Sequence, residues 1–336
     1  MNEQAKLIVS SSPHIRTPRD TKAIMLDVLI ALAPAFICSI IFFGWRPILL
    51  TAISVASCEA FEFGYRRLLK KHDTWSDLSA AVTGVLLVFC MPSSAPWWMP
   101  IIGALFSVVI VKQLFGGIGK NFLNPALAGR AFLLASYARL MTTWVPTNLM
   151  SGVDAATYAT PLASLSAGQL SSVGVGAMLL GNTGGCIGEV SAAALLLGGA
   201  YLVYRKVISL RIPLSFIGTV AVVTLIFSRG NAHFAWMLQN VFSGGLMLGA
   251  IFMATDYCTS PVTPKGQLIF GVGCGLLTVL IRYFGSYPEG VSYAILIMNL
   301  MVWMIDKATA PRRFGVEPKF TWKKFAAKLG KKEAAE

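Results

Sequence analysis

A short polar stretch, Asp154-Ala155-Ala156-Thr157-Tyr158-Ala159-Thr160-Pro161-Leu162, carries the residues best suited to covalent chemistry. It holds no Lys or Arg and lies in the longest weakly hydrophobic interval of a very apolar chain. A hydroxyl in an exposed segment outside secondary structure can accept a phosphoryl-linked group from a transferase. Pro161 helps to keep such a segment extended. From the residues alone the stretch reads equally as a polar loop, with Asp154 and Thr157 capping a helix or closing a turn.

A second set consists of carboxylates at or near membrane depth: Asp27, Glu59, Glu62, Glu189, Asp256 and Glu289. Ionisable groups there are candidates for an ion path. Glu59 and Glu62 are three residues apart on one helix face, and Glu62 can pair with Arg66 one turn on. The three histidines, His14, His72 and His233, are isolated and suggest no metal or general-base site. No two of the six cysteines form a CxxC, so they read as buried free thiols rather than zinc or iron–sulfur ligands.

The elements that must hold these groups are membrane helices. The 336 residues are 55% hydrophobic and only 13% charged. Soluble domains carry about 25% charged residues. Apolar segments of spanning character fall at about 24–43, 47–64, 77–91, 97–115, 124–138, 190–204, 212–228, 239–255, 266–284 and 289–305. The expected fold is an all-α polytopic membrane protein of about ten helices. The short Gly- and Pro-rich segments imply broken helices inside the bundle.

The net charge of +13 is topogenic rather than a sign of nucleic-acid binding. With the N-terminus placed in the cytoplasm, 23 of the 28 Lys and Arg fall on the inner side. Both termini are then inside, and the interval containing Thr160 is outside. The polar N-terminal stretch has no apolar core or cleavage site and reads as a cytoplasmic segment. The basic, aromatic-laced tail after Ala310 reads as a solvated tail or as an anchor on anionic lipid.

Ten spans divide into five plus five, which forces inverted topology. The spacing from Pro92 to Phe115-Gly116 equals that from Pro261 to Phe284-Gly285. The expected organisation is a cytoplasmic segment 1–23, a first repeat 24–138, an extracytoplasmic region 139–189, a second repeat 190–305 and a basic cytoplasmic tail 306–336. Broken helices of such repeats enclose sites near the midplane. Gly116-Gly117-Ile118-Gly119-Lys120-Asn121 fails the phosphate-loop spacing and reads as a tight turn before a helix starting at Asn124-Pro125.

The Asp154–Thr160 stretch resembles the target motif of flavin transferases, Asp-x-x-(Ser/Thr)-Gly-Ala-(Thr/Ser), whose last residue is esterified to FMN. Asp154, Thr157, Ala159 and Thr160 match, and Tyr158 stands where Gly is usual. Residues 76–87, 116–126, Ala159-Thr160-Pro161-Leu162 and Phe252-Met253-Ala254-Thr255-Asp256 extend the resemblance. Over about 20–310 the chain is similar to the D subunit of the Rnf ion-translocating electron transport complex, and to the homologous B subunit of the sodium-pumping NADH:quinone reductase.

The resemblance implies a subunit of a bacterial plasma-membrane oxidoreductase, in the inner membrane where there are two. It would relay electrons through FMN covalently bound at Thr160, between ferredoxin and NAD, coupled to Na+ or H+ movement. It implies as partners a second flavoprotein, iron–sulfur subunits, other membrane subunits and a maturing flavin transferase. A second, non-covalent flavin such as riboflavin is expected near Asn124 and Asp256. The competing classes are an inverted-repeat transporter or channel and a scaffold subunit without a cofactor. The attachment stretch discriminates, since a pure transporter has no use for it.

Overall fold

The computed structural model describes residues 20–71, 75–145, 160–181, 183–189, 191–229, 232–285 and 289–311. Among these there is no strand, only an isolated bridge between Pro92 and Cys186. The first half contains α1 (Thr21–Phe43), α2 (Arg46–Leu68), α3 (Ser79–Phe89), α4 (Met99–Ala104, continuing as a π-helix over Leu105–Gln113) and α5 (Pro125–Ser136). Short helices α6 (Ala138–Met141), α7 (Pro161–Ser166) and α8 (Val175–Leu180) belong to the central interval. The second half contains α9 (Ala192–Tyr204), α10 (Arg211–Ile226), α11 (His233–Phe242), α12 (Leu246–Leu248, continuing as a π-helix over Gly249–Met253), α13 (Pro264–Phe284) and α14 (Val291–Thr309).

Helix is found in every segment expected to span. By length and apolarity, four helices can cross a membrane: α1, α2, α13 and α14. The bent pair α11–α12, broken by 61°, makes a fifth if it is one span. At about 1.5 Å per residue, the 11 residues of α3 cover roughly half of a hydrocarbon core about 30 Å thick. Almost all of α3 is buried, as an interrupted helix inside a bundle must be.

A helix that ends inside apolar surroundings leaves carbonyls that need donors. At the end of α3 the loop 183–189 supplies them. Ile187 N–H donates to the Met91 carbonyl and Gly188 N–H to the Phe89 carbonyl, both at 2.9 Å. At the end of α11 the donor is a side chain. Arg282 of α13, only 3% exposed, donates to the carbonyls of Asn240 and Ser243. The break lies at Ser243-Gly244-Gly245, where Gly244 has φ +67. The sequence reading put the interruption of this segment at the Pro261 turn. Pro261 instead lies in the connection leading to α13, and the glycine pair is what interrupts the helix.

The halves meet where α1 packs on α9 and α5 on α14. Asp27 of α1 accepts from Tyr201 Oη at 3.0 Å and from Arg205 Nε at 3.3 Å. Beside this link, a side chain on Gly198 would collide with the Ala31 carbonyl. Gly198→Ala should therefore destabilise the bundle by about 1–3 kcal/mol. Gly218→Ala, on an open face of α10, should be neutral or stabilising by up to about 1 kcal/mol. Thermal unfolding in detergent separates the two. Equal midpoints would mean that α1 and α9 do not approach so closely.

Candidate functional site

Two polar clusters lie within the helical bundle. The first surrounds a cavity of about 100 Å³ between the halves. Its walls are apolar at Val82, Leu86, Met25, Val28 and Phe252, and polar at Ser79, Lys112, Asn121, Asn124, Thr255 and Asp256. Asn124 caps α5, its Oδ1 accepting from the N–H groups of Ala126 and Leu127, with Pro125 in the first turn. Its Nδ2 donates to the Met253 carbonyl at 3.2 Å, where the π-turn of the second half ends. Asp256 is half-buried and accepts from Cys258 N–H and Thr259 Oγ1. Gly116, Gly117 and Gly119 all have positive φ, so the Gly116–Asn121 run is the tight turn expected before α5.

Lys112 projects from the π-helix into this cluster and is only 3% exposed. Its Nζ lies 2.7 Å from Glu62 Oε2 and donates to Ser79 Oγ at 2.7 Å. Glu62 is 1% exposed and also lies 3.8 Å from Arg66, the expected one-turn partner. Arg66 in turn donates to Gln113 Oε1 at 3.2 Å. Glu62, Asn124 and Asp256 thus converge on one polar region. Glu59 does not line the cavity and stays half-buried on α2. By sequence Lys112 counts among the inner-side topogenic cations, but it is a buried partner of Glu62.

The second cluster contains Thr160. Asp154, Thr157 and Ala159 lie outside the described residues. Thr160 was expected exposed and outside secondary structure, but it is the N-cap of α7 and 6% exposed. Its Oγ1 accepts from Ala163 N–H at 3.3 Å, and Pro161 fixes the first turn. The reason is local: Thr followed by Pro is a helix start as well as an extended segment. Thr160 shares the wall of a cavity of about 20 Å³ with Thr183, Glu189, Ser243 and Glu289. That is room for one water and not for a ring system.

Behind this cavity stands Arg130, in the middle of α5 and 5% exposed. It pairs directly with Glu289, donates to Ser292 Oγ, lies 3.6 Å from Cys186 Sγ and 4.0 Å from Glu189. Cys186, Glu189 and Glu289 hold ligand atoms within 4.8 Å of one another, a spacing that suits a metal ion. Arg130 already supplies positive charge to this group, which disfavours a second cation there. Glu189, in the loop before α9, is pushed up to about 7, mainly by burial and then by Glu289, with Arg130 opposing. Sequence reasoning named both glutamates but missed their shared arginine. The available signal was Arg130 itself, a cation inside an apolar segment.

With both clusters placed, comparison with known proteins becomes specific. The sequence matches the NQR2, RnfD, RnfE family over residues 8–315. This chain belongs to that family. It is 49% identical to the D subunit of the Na(+)-translocating ferredoxin:NAD(+) oxidoreductase complex of Acetobacterium woodii, over 94% of this chain and 97% of the relative. It is 42% identical to the D subunit of the proton-translocating ferredoxin:NAD(+) oxidoreductase complex of Clostridium ljungdahlii, over 91% and 96%. The D subunit of the ion-translocating oxidoreductase complex of Klebsiella pneumoniae is 37% identical over 91% and 98%. Family members whose names specify Na+ and H+ align over nearly the same share of this chain, so coverage alone does not assign the ion.

Proposed function

We propose that the protein is the D-type membrane subunit of an ion-translocating electron transport complex, passing electrons between ferredoxin and NAD through a flavin esterified to Thr160. The observation that carries this reading is the attachment stretch ending in Thr160, in a chain 49% identical to the D subunit of such a complex. A flavin supplies one- and two-electron transfer when bound. The protein supplies position. Thr160 Oγ1 offers the ester oxygen, and that oxygen can still accept from Ala163 N–H after esterification. The cavity beside it is too small for the ring, so the ring belongs on the side toward partner subunits.

A second, non-covalent flavin such as riboflavin fits the character of the larger cavity. Its apolar walls suit a flat aromatic ring, and Lys112, Asn121 and Asp256 offer both donors and acceptors to a polar ring edge. Filling it with Val82→Trp should remove the flavin that acid precipitation releases, while the fluorescence of the denatured chain persists. Loss of both together would show a failure of folding or maturation, and retention of both would exclude this cavity.

The reading includes ten spans in two inverted halves, with both termini inside and the Thr160 region outside. The packing supports it. In the first half α2 contacts α3 and α4; in the second, α10 contacts α11 and α13. The pairs α1–α9 and α5–α14, equivalent by the repeat, pack on each other. Gln169, exposed between α7 and α8, provides the test. Gln169→Cys should react with a membrane-impermeant thiol reagent in intact cells, above the parent chain. Reaction only after permeabilisation would reverse the topology.

A further inference from the structure

The buried charges beside Thr160 are unequal. Glu289 has the direct contact with Arg130, whereas Glu189 stands 4.0 Å from the same guanidinium, beyond hydrogen-bond reach. Glu189 Oε1 has no hydrogen-bond partner, and its side chain is 4% exposed. The nearby Ser243 Oγ is also buried without a partner, and it lines the same small cavity as Thr160 and Glu189. Arg282 does not relieve Glu189 by direct contact, because its guanidinium donates to the carbonyls at the end of α11. A side chain on Gly245 would strike Glu189 Oε1, so the carboxyl is held tightly against the break. An ionised carboxylate so placed is costly, and protonation relieves that cost.

We propose that Glu189 is the proton-accepting group of the Thr160 site, taking up a proton when the group carried there is reduced and releasing it on reoxidation. This rests on the reading of Thr160 as the flavin carrier. An electron arrives from a neighbouring redox subunit and adds one negative charge. One proton from the aqueous phase forms an O–H bond on the Glu189 carboxyl and removes one. On reoxidation the electron leaves, the O–H bond breaks and the proton returns to water. The local charge is unchanged in both states, which matters where the dielectric is low and uncompensated charge is expensive. The groups facing Glu189 are Cys186 on its own loop, Cys90 after α3, Arg130 of α5, Arg282 of α13 and Glu289 before α14. Arg130 holds Glu289 as the charged member of the pair, which leaves Glu189 as the one that titrates. The upward push on Glu189 has the same direction.

Infrared difference spectroscopy on the purified complex tests this in two arms. In the first, pH alone is stepped through neutrality with no redox change. A protonated-carboxyl band should grow as pH falls, vanish in Glu189→Gln and move in Glu189→Asp. This arm does not depend on what Thr160 carries. In the second, the complex is reduced at fixed pH, after in-gel fluorescence has established the covalent flavin. The same band should appear on reduction and be absent in Glu189→Gln and in Thr160→Ala. A pH band that survives Glu189→Gln overturns the assignment. A pH band with no redox band, in a complex that carries the flavin, overturns the coupling. If no covalent flavin is present, the functional reading falls, and with it the coupling, while the first arm still judges Glu189. Where Glu189→Gln does not assemble, Glu189→Asp alone must displace the band, and an unmoved band counts against the proposal.

Discussion

Thr160→Ala should abolish covalent flavin entirely. The denatured chain, expressed with its complex and a flavin transferase, should fluoresce in a gel when it carries Thr160 and be dark with alanine. Thr160→Ser should retain the signal, because the chemistry needs a hydroxyl and the motif accepts either residue. The structural side effect is small. Thr160 caps a six-residue helix through one hydrogen bond of 3.3 Å, and losing such a cap costs about 1 kcal/mol. The bundle should therefore assemble in both variants, and the loss of fluorescence reports on attachment rather than on folding. Fluorescence of equal strength in Thr160→Ala would place the ester elsewhere. A dark parent chain would leave the scaffold reading standing. The buried position of Thr160 adds a kinetic expectation: attachment should be faster on the newly inserted chain than on the assembled protein.

The helices were legible because apolar runs and Gly-Pro punctuation are local properties. Asn124-Pro125 announces a helix start in sequence and is one in space. Glu62, Asn124 and Asp256 could be singled out because a polar residue in an apolar run is conspicuous, and they do converge. Glu59, chosen on the same ground, faces elsewhere, since three residues of spacing give a shared face only approximately. Lys112, Arg130 and Arg282 were hidden for a different reason. In a membrane chain a cation is read first as a topology signal. Only the tertiary fold shows whether its charge meets water, a carboxylate or a row of helix-end carbonyls. The Ser243-Gly244-Gly245 break was obscured by Pro261 for a related reason. Proline marks a turn in any context, whereas a glycine pair breaks a helix only where something such as Arg282 satisfies the freed carbonyls.

Lys112→Met should destabilise the protein by about 3 kcal/mol, because it strands Glu62 as a buried charge with its nearest cation gone. The value sits at the lower end of the usual range, since Arg66 remains 3.8 Å away. Adding Glu62→Gln to Lys112→Met should recover most of that stability, as the pair is then removed together rather than broken. Thermal unfolding in detergent measures both changes. A single variant as stable as the parent would mean that Lys112 is hydrated in the membrane. The double variant also separates two roles of Lys112. If the lysine serves only to neutralise Glu62, the acid-releasable flavin should return along with stability. If its ammonium also holds the ring edge in the cavity it lines, stability should return and the flavin should not. The second outcome is the expected one. Nζ already satisfies Glu62 and Ser79, and an ammonium has a third proton to donate toward the cavity.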